Sequence, residues 1–145
     1  MTRVTVKVDG QKEVKKKINM FDMERKKEAT IAIRKHASAV RKSGKQGAPV
    51  TPPHVRKKYG KPGDLKGSIR VKYYYGGLGA LIMPWRPKGS HRFIVELGTK
   101  DRVTRTGKRL GRVTPQPFMG PAKAKQIPAY NSDMRRIFVT KKHEI

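Results

Sequence analysis

Along the opening of the chain Val4, Val6 and Val8 alternate with Thr5 and Lys7, the period of a strand with one buried face, and Asp9-Gly10 supplies a turn after it. The period then lengthens. From Gln11 to about Ser43 there is no Pro or Gly, and Val14, Ile18, Phe21, Ala29, Ile33, Ala37 and Val40 recur three, four or eight residues apart. That spacing predicts one apolar face of a long helix, with NMFDM at 19–23 as the place where a break is expected. The opposite face carries KEVKKK, ERKKE and RKHASAVRK, so its cations are expected in solvent and His36 among them as a surface residue. Gly44 and Gly47 are the expected terminators.

The next stretch, GAPVTPPHVRKKYGKPGD, concentrates Pro, Gly and cations and reads as a projecting loop at about 48–64, longer than compact domains usually carry. SIRVKYYYGGLGALIMPW reads as a hairpin. Ile69, Val71, Tyr73 and Tyr75 share one face, Gly76-Gly77 makes a tight turn, and Leu78, Ala80 and Ile82 return until Pro84 and Pro87 stop the pairing. Alternation sets Tyr74 apart from Tyr73 and Tyr75, so core packing is preferred to a base-stacking platform for this trio. HRFIVELG is a short apolar element, strand or helix, in which His91 is read as an ordinary strand-start residue. Residues 99–113 form a second projecting loop with Thr106-Gly107-Lys108 at its tip, anchored by Val95 and Leu97 before it and Pro117 and Phe118 after it. Beyond a Pro-rich extended segment, Ile127, Tyr130, Met134, Ile137 and Phe138 have helical spacing, and Pro128 suits the first turn of a terminal helix.

Charge changes what such a fold has to do. The 145 residues, about right for one domain over 1–145, include 36 Lys plus Arg and 10 Asp plus Glu, a formal charge of +26. A chain so self-repelling needs either a negative partner, whether nucleic acid, an anionic surface or acidic protein, or charges that project on arms away from the core. The absence of cysteine removes disulfides and thiolate chemistry, and the N-terminus has no apolar signal region, which together lead to the expectation of a soluble intracellular product with no membrane partner.

Chemistry is sparse. His36, His54, His91 and His143 have no metal-pair spacing, no phosphate-cradling Gly-Lys-Ser or Gly-Lys-Thr occurs, and Glu96 is the sole acid within an apolar element. A salt bridge from Glu96 to a nearby arginine is preferred to general-base catalysis. No catalytic residue, cofactor or metal site is expected, and the chain is read as a non-enzyme. The one dense feature is the loop TKDRVTRTGKRLGRV, where Lys100, Arg102, Arg105, Lys108, Arg109 and Arg112 stand against the single acid Asp101. These six are the candidate partner contacts.

Three separated segments together resemble one family. GAPV followed by PGDLKGSIRV resembles an APV-DTG-LR-SI pattern, HRFIVELGTK an A-FVEFGT element, and TPQPFMGPA a PAQPFLRPA element, in that order. The family is that of the neck proteins of long-tailed, lambdoid-type phages, described as head–tail joining, tail-completion or tail-component proteins. Leu65 and Ile69 match it in the first segment; Phe93, Val95, Glu96, Gly98 and Thr99 in the second; Pro115, Pro117 and Phe118 in the third. All ten are expected to define the fold. The insertion TPPHVRKKYGKP and the non-acidic end of the chain depart from the family pattern.

The resemblance implies an α+β subunit, a long N-terminal helix packed on a small antiparallel sheet with extended loops and a C-terminal helix. It also implies a virion location at the head–tail junction after assembly in the host cytoplasm. The partners it implies are other copies in a ring, six favoured, a head-completion or stopper protein, a tail-terminator or tail-tube protein, and genomic DNA passing non-specifically through the lumen. Composition alone supports a different class, a basic RNA- or DNA-binding protein of ribosomal type.

Overall fold

A computed structural model describes residues 11–50 and 61–139. The expected opening strand at 4–8 and residues 51–60 of the long loop lie outside them. The chain is α+β: a long helix, α1 (Gln11–Gly47), packs on a two-stranded antiparallel sheet and against a C-terminal helix.

The helix α1 is continuous through 19–23, so the expected break does not occur. Ala29, Ala32, Ile33, His36, Ala37, Val40 and Gly44 are buried, a stripe at three- and four-residue spacing that follows the apolar pattern and widens it. Small side chains in this stripe allow close approach of the layer above. Gly44 belongs to the same seam rather than to the helix end: a Cβ there would stand 2.8 Å from Met119 Sδ, so the helix continues to Gly47.

A short helix, α2 (Asp64–Ser68), leads into the hairpin. Asp64 Oδ2 accepts the Lys61 N–H at 2.8 Å, and the Ser68 hydroxyl donates to Leu65 O at 2.7 Å, closing the turn at both ends. Strands β1 (Ile69–Tyr74) and β2 (Gly79–Pro84) pair with Ile69 opposite Pro84, Val71 opposite Ile82 and Tyr73 opposite Ala80. Those six residues form the face toward α1. Pro84 does not stop the pairing but completes it, fully buried against Ile69, and the Trp85 N–H extends the ladder to Ser68 O. The connection has four residues, Tyr75, Gly76 and Gly77, all with positive φ, and Leu78, which closes the turn instead of starting the return strand, so it is not a two-glycine turn. Tyr75 thereby leaves the sheet face.

The segment after the hairpin resolves as helix α3 (Arg92–Leu97), so half-exposed His91 precedes a helix and not a strand. A small hairpin follows, β3 (Arg102–Val103) with β4 (Arg109–Gly111), and then α4 (Met119–Phe138). The start of α4 lies nine residues before Pro128, which is interior to the helix instead of in its first turn. Elements from distant parts of the chain meet in one core: Ala48, Leu65, Ile69 and Phe118 are buried together, with Ile82, Val95 and Met119 against them. Burying side chains of this kind stabilises by roughly 1.5–3 kcal/mol each.

Between α1 and α4 lies a polar seam. His36 is 6% exposed, not a surface residue, because the turn of α1 that carries it faces α4. Its Nε2 donates to Asp133 Oδ2 at 2.9 Å, its Nδ1 lies 3.4 Å from Gln126 Oε1, and its ring meets Tyr130 edge to face at 5.8 Å. The His36 hydrogen bond, joined by Lys35 and Arg136, holds the Asp133 carboxyl below its ordinary range despite burial. Among the described residues no helix is long and apolar enough to cross a membrane.

Candidate functional site

The basic segment is built outward from a clamp. Glu96 near the end of α3 turns its carboxylate to the start of α4, which has no side-chain cap of its own. Oε2 accepts the Phe118 and Met119 N–H groups at 2.9 and 3.1 Å, and Oε1 accepts Gly120 N–H at 2.9 Å. Three amides left orphaned by helix geometry are satisfied by one anion, which the helix dipole also favours. Partial burial pushes the Glu96 carboxyl up, and the three donated hydrogen bonds together outweigh it, so the group is held below its ordinary range. The partner of Glu96 is therefore backbone, and the expected arginine salt bridge does not form among the described residues.

Next to it, Gly98 adopts φ 71° and ψ −169°, a region essentially restricted to glycine. A Cβ at this point would also stand 2.6 Å from Val113 O. Thr99 and Val113 then tie the two roots of the arm: Thr99 N–H donates to Val113 O, and Val113 N–H donates to Thr99 Oγ1, both at 3.0 Å. A third tie, Gln116 N–H to Val95 O at 2.8 Å, completes the base.

From this base the chain leaves as β3, turns over 104–108, and returns as β4. Thr104 organises the turn. Its N–H donates to Lys108 O at 2.9 Å, its Oγ1 accepts Lys108 N–H at 3.0 Å, and its carbonyl accepts Gly107 N–H at 3.0 Å. The two strands pair out of step, with a register shift at Arg102/Val103. Lys100, Arg102, Arg105, Lys108, Arg109 and Arg112 are all exposed, and none forms an ion pair among the described residues. Val103 and Leu110 are also exposed, so the arm presents apolar groups beside its cations. Such a surface can offer phosphates or carboxylates several charged donors and a partner some apolar area. Isolated exposed ion pairs would contribute only about 0–1 kcal/mol each, so the effect requires many contacts at once.

The proposed anchors divide. Val95 and Phe118 belong to the core, whereas Leu97 is 72% exposed and Pro117 is exposed; Glu96, Gly98 and Thr99 fix the arm in their place. Of the ten positions that carry the resemblance, Leu65, Ile69, Val95 and Phe118 lie in the core, and Glu96, Gly98 and Thr99 form the clamp. Pro115 is exposed but closes on Gly98, its Cδ 2.8 Å from where a Cβ would be. Phe93 is 60% exposed beside the Arg92 guanidinium and does not help define the core.

A second surface is one for which core packing is the expectation preferred to base stacking. Tyr73, Tyr74 and Tyr75 are exposed, so the expectation of core packing fails for all three. The two-stranded sheet has α1 on one face only. On the other face stand Arg70, Lys72 and Tyr74 of β1 and Leu81 of β2, joined by Trp85. Lys72 Nζ lies 5.3 Å from the Tyr74 ring centroid and 5.8 Å from that of Trp85. Tyr73, on the inner face, lies at the edge of α1 under the Arg34 guanidinium at 5.6 Å. The alternation Arg70, Lys72, Tyr74 was a usable signal, but only once the sheet was known to have two strands and one helical layer.

No known family model matches the chain, and no curated protein or solved structure matches it either.

Proposed function

We propose that this chain is a structural protein of the head–tail junction of a long-tailed phage, a neck or tail-completion subunit that closes into a ring and joins the tail to the DNA-filled head. The observation that carries this reading is the convergence of the three resembling segments. Leu65 and Ile69 from the first, Val95 from the second and Phe118 from the third share one core, and Glu96 of the second caps the helix that the third begins. A shared core for the three segments is what the resemblance implies of them.

In this reading the clamp gives the arm a fixed direction. Its cations and its exposed Val103 and Leu110 reach a neighbouring copy or an adjacent ring, whether the head-completion or stopper protein on one side or the tail-terminator or tail-tube protein on the other. Heterologous contacts of this type close a ring when the rotation between subunits is right, and six subunits match a sixfold tail tube. DNA in the lumen is met through phosphates, without sequence preference. No catalytic step is involved.

Removal of residues 102–112 tests the reading, because these residues lie outside the core. The shortened subunit is expected to keep its circular-dichroism spectrum and cooperative melting. In a phage carrying the deletion, electron microscopy of lysates is expected to show DNA-filled heads beside separate tails. Intact infectious particles would overturn the proposal and leave the basic nucleic-acid-binding class as the better reading.

A further inference from the structure

The geometry points to a single-stranded nucleic acid as the ligand of the outer hairpin face: we propose that Tyr74 and Trp85 stack on bases there while Arg70 and Lys72 meet the flanking phosphates. This goes beyond a junction role, in which DNA is touched only through its backbone, and it stands independently of ring formation.

The rings are held for contact rather than for packing. Trp85 Nε1–H donates to Arg70 O at 3.4 Å, which lays the indole against the outside of β1, and its backbone N–H is already committed to Ser68 O. Tyr74 projects from the same face, and the Lys72 ammonium is within the roughly 6 Å range of a cation–π contact with each of the two rings. Tyr75, at the hairpin tip, is 87% exposed with φ 52°, a conformation that Gly or Asn adopts more cheaply, and it adds a third ring beside the face.

Charge selects the occupant. The outward side chains of β1 beside Tyr74 are two cations, Arg70 and Lys72, while Asp64, the acid nearest β1 in sequence, is already paired with Lys88 at 3.4 Å. A second copy of this chain would bring the same positive face, and an apolar partner would have to strip water from two cations without return. A single strand offers both complements: phosphates for the cations and unpaired π-faces for the rings. Duplex DNA offers only the first, because its bases are already stacked inside.

The chain has one tryptophan, so its emission reports on this face directly. Titration of the full-length protein with short oligo(dT) and oligo(rU) is expected to quench Trp85 emission. An abasic oligomer of equal length and charge is expected to bind more weakly and leave the emission unchanged, as is a duplex. Quenching by either single strand supports the proposal, and the tighter of the two identifies DNA or RNA as the source. Tyr74→Ala should weaken oligo(dT) binding by about 5- to 150-fold, the range for losing one stacking ring, while Tyr74→Phe should retain it. Lys72→Gln should reduce the slope of log affinity against log salt by about 0.7. Equal binding of the abasic oligomer with no change in emission would overturn the proposal, and that comparison needs only the unaltered protein. Unchanged affinity in a folded Tyr74→Ala variant would overturn it as well.

Discussion

Glu96 satisfies the amides of a helix that begins more than twenty residues further along the chain, and this makes one side chain responsible for how α3, the arm and α4 are joined. Its carboxyl is held below the ordinary 4.5. A group with a lowered folded value stabilises fully above its unfolded value, and the contribution is lost as pH falls through the folded one. Glu96→Gln keeps one carbonyl acceptor but loses the charge and the second oxygen. The variant is expected to lose about 1–2 kcal/mol near neutral pH, in the upper part of the range for deleted helix caps. It should also lose less further stability than the parent on acidification below about pH 4.5, since the carboxylate contribution is already gone. Urea unfolding at neutral pH and near pH 3 checks both statements. Parallel acid dependence in the two proteins would show that Glu96 is not the group whose protonation loosens the clamp. Asp64 and Asp133, also held below their ordinary range, account for acid sensitivity that the variant retains.

At the scale of elements, α4 carries an internal contradiction: Pro128 lies in its middle, where a proline removes one amide donor and crowds the preceding turn. Exposed Pro128→Ala is expected to raise stability by about 1–3 kcal/mol, with the melting temperature as the measure. A drop would mean that the local backbone geometry set by Pro128 is needed to seat Ile137 and Tyr130 against α1. The same proline explains why α4 was misjudged from the sequence. Proline is a strong start signal, and the true start at Met119 has no local cap to mark it, because its cap arrives from α3. By contrast α1 was legible through Ala29, Ile33, Ala37 and Val40, since a long amphipathic period is local information. The hairpin was legible in its paired positions, Ile69, Val71, Ala80 and Ile82, but not in its tyrosines. Alternation sorts residues between two faces, and only tertiary structure decides whether the second face is covered. His36 was misread for the same reason: polar neighbours in sequence set it on the cationic side, while Asp133 and Gln126, about a hundred residues away, made burial affordable. Of the candidate site, the cations of the arm could be named in advance, and so could Glu96, Gly98 and Thr99 as fold-defining positions; the hydrogen bonds by which those three direct the arm could not.

For the whole molecule the decisive quantity is the net charge of +26 on 145 residues. Three of the acids that might offset it are occupied internally: Glu96 at the cap, Asp133 with His36, and Asp64 with Lys61 and Lys88. The folded state therefore gathers like charges with little compensation, and assembling copies would gather more. Screening should relieve this. Between about 0.01 M and 0.1 M salt the Debye length falls from about 30 Å to about 10 Å, which brings it below the separation of many surface cations. The melting temperature is accordingly expected to rise over that range, by about 2–4 °C for each kcal/mol of repulsion removed. A bound polyanion, such as heparin or oligo(dT), should raise it further at equal ionic strength, because ligand binding to the folded state adds mass action to screening. A melting temperature that falls with salt would mean that native ion pairs outweigh repulsion. A polyanion effect no larger than that of simple salt would mean that the positive surface has no anionic partner with useful affinity. Self-association follows the same sign: sedimentation of the purified chain should show larger species with polyanion present than in low salt alone, since copies this positive approach one another most readily when something negative lies between them.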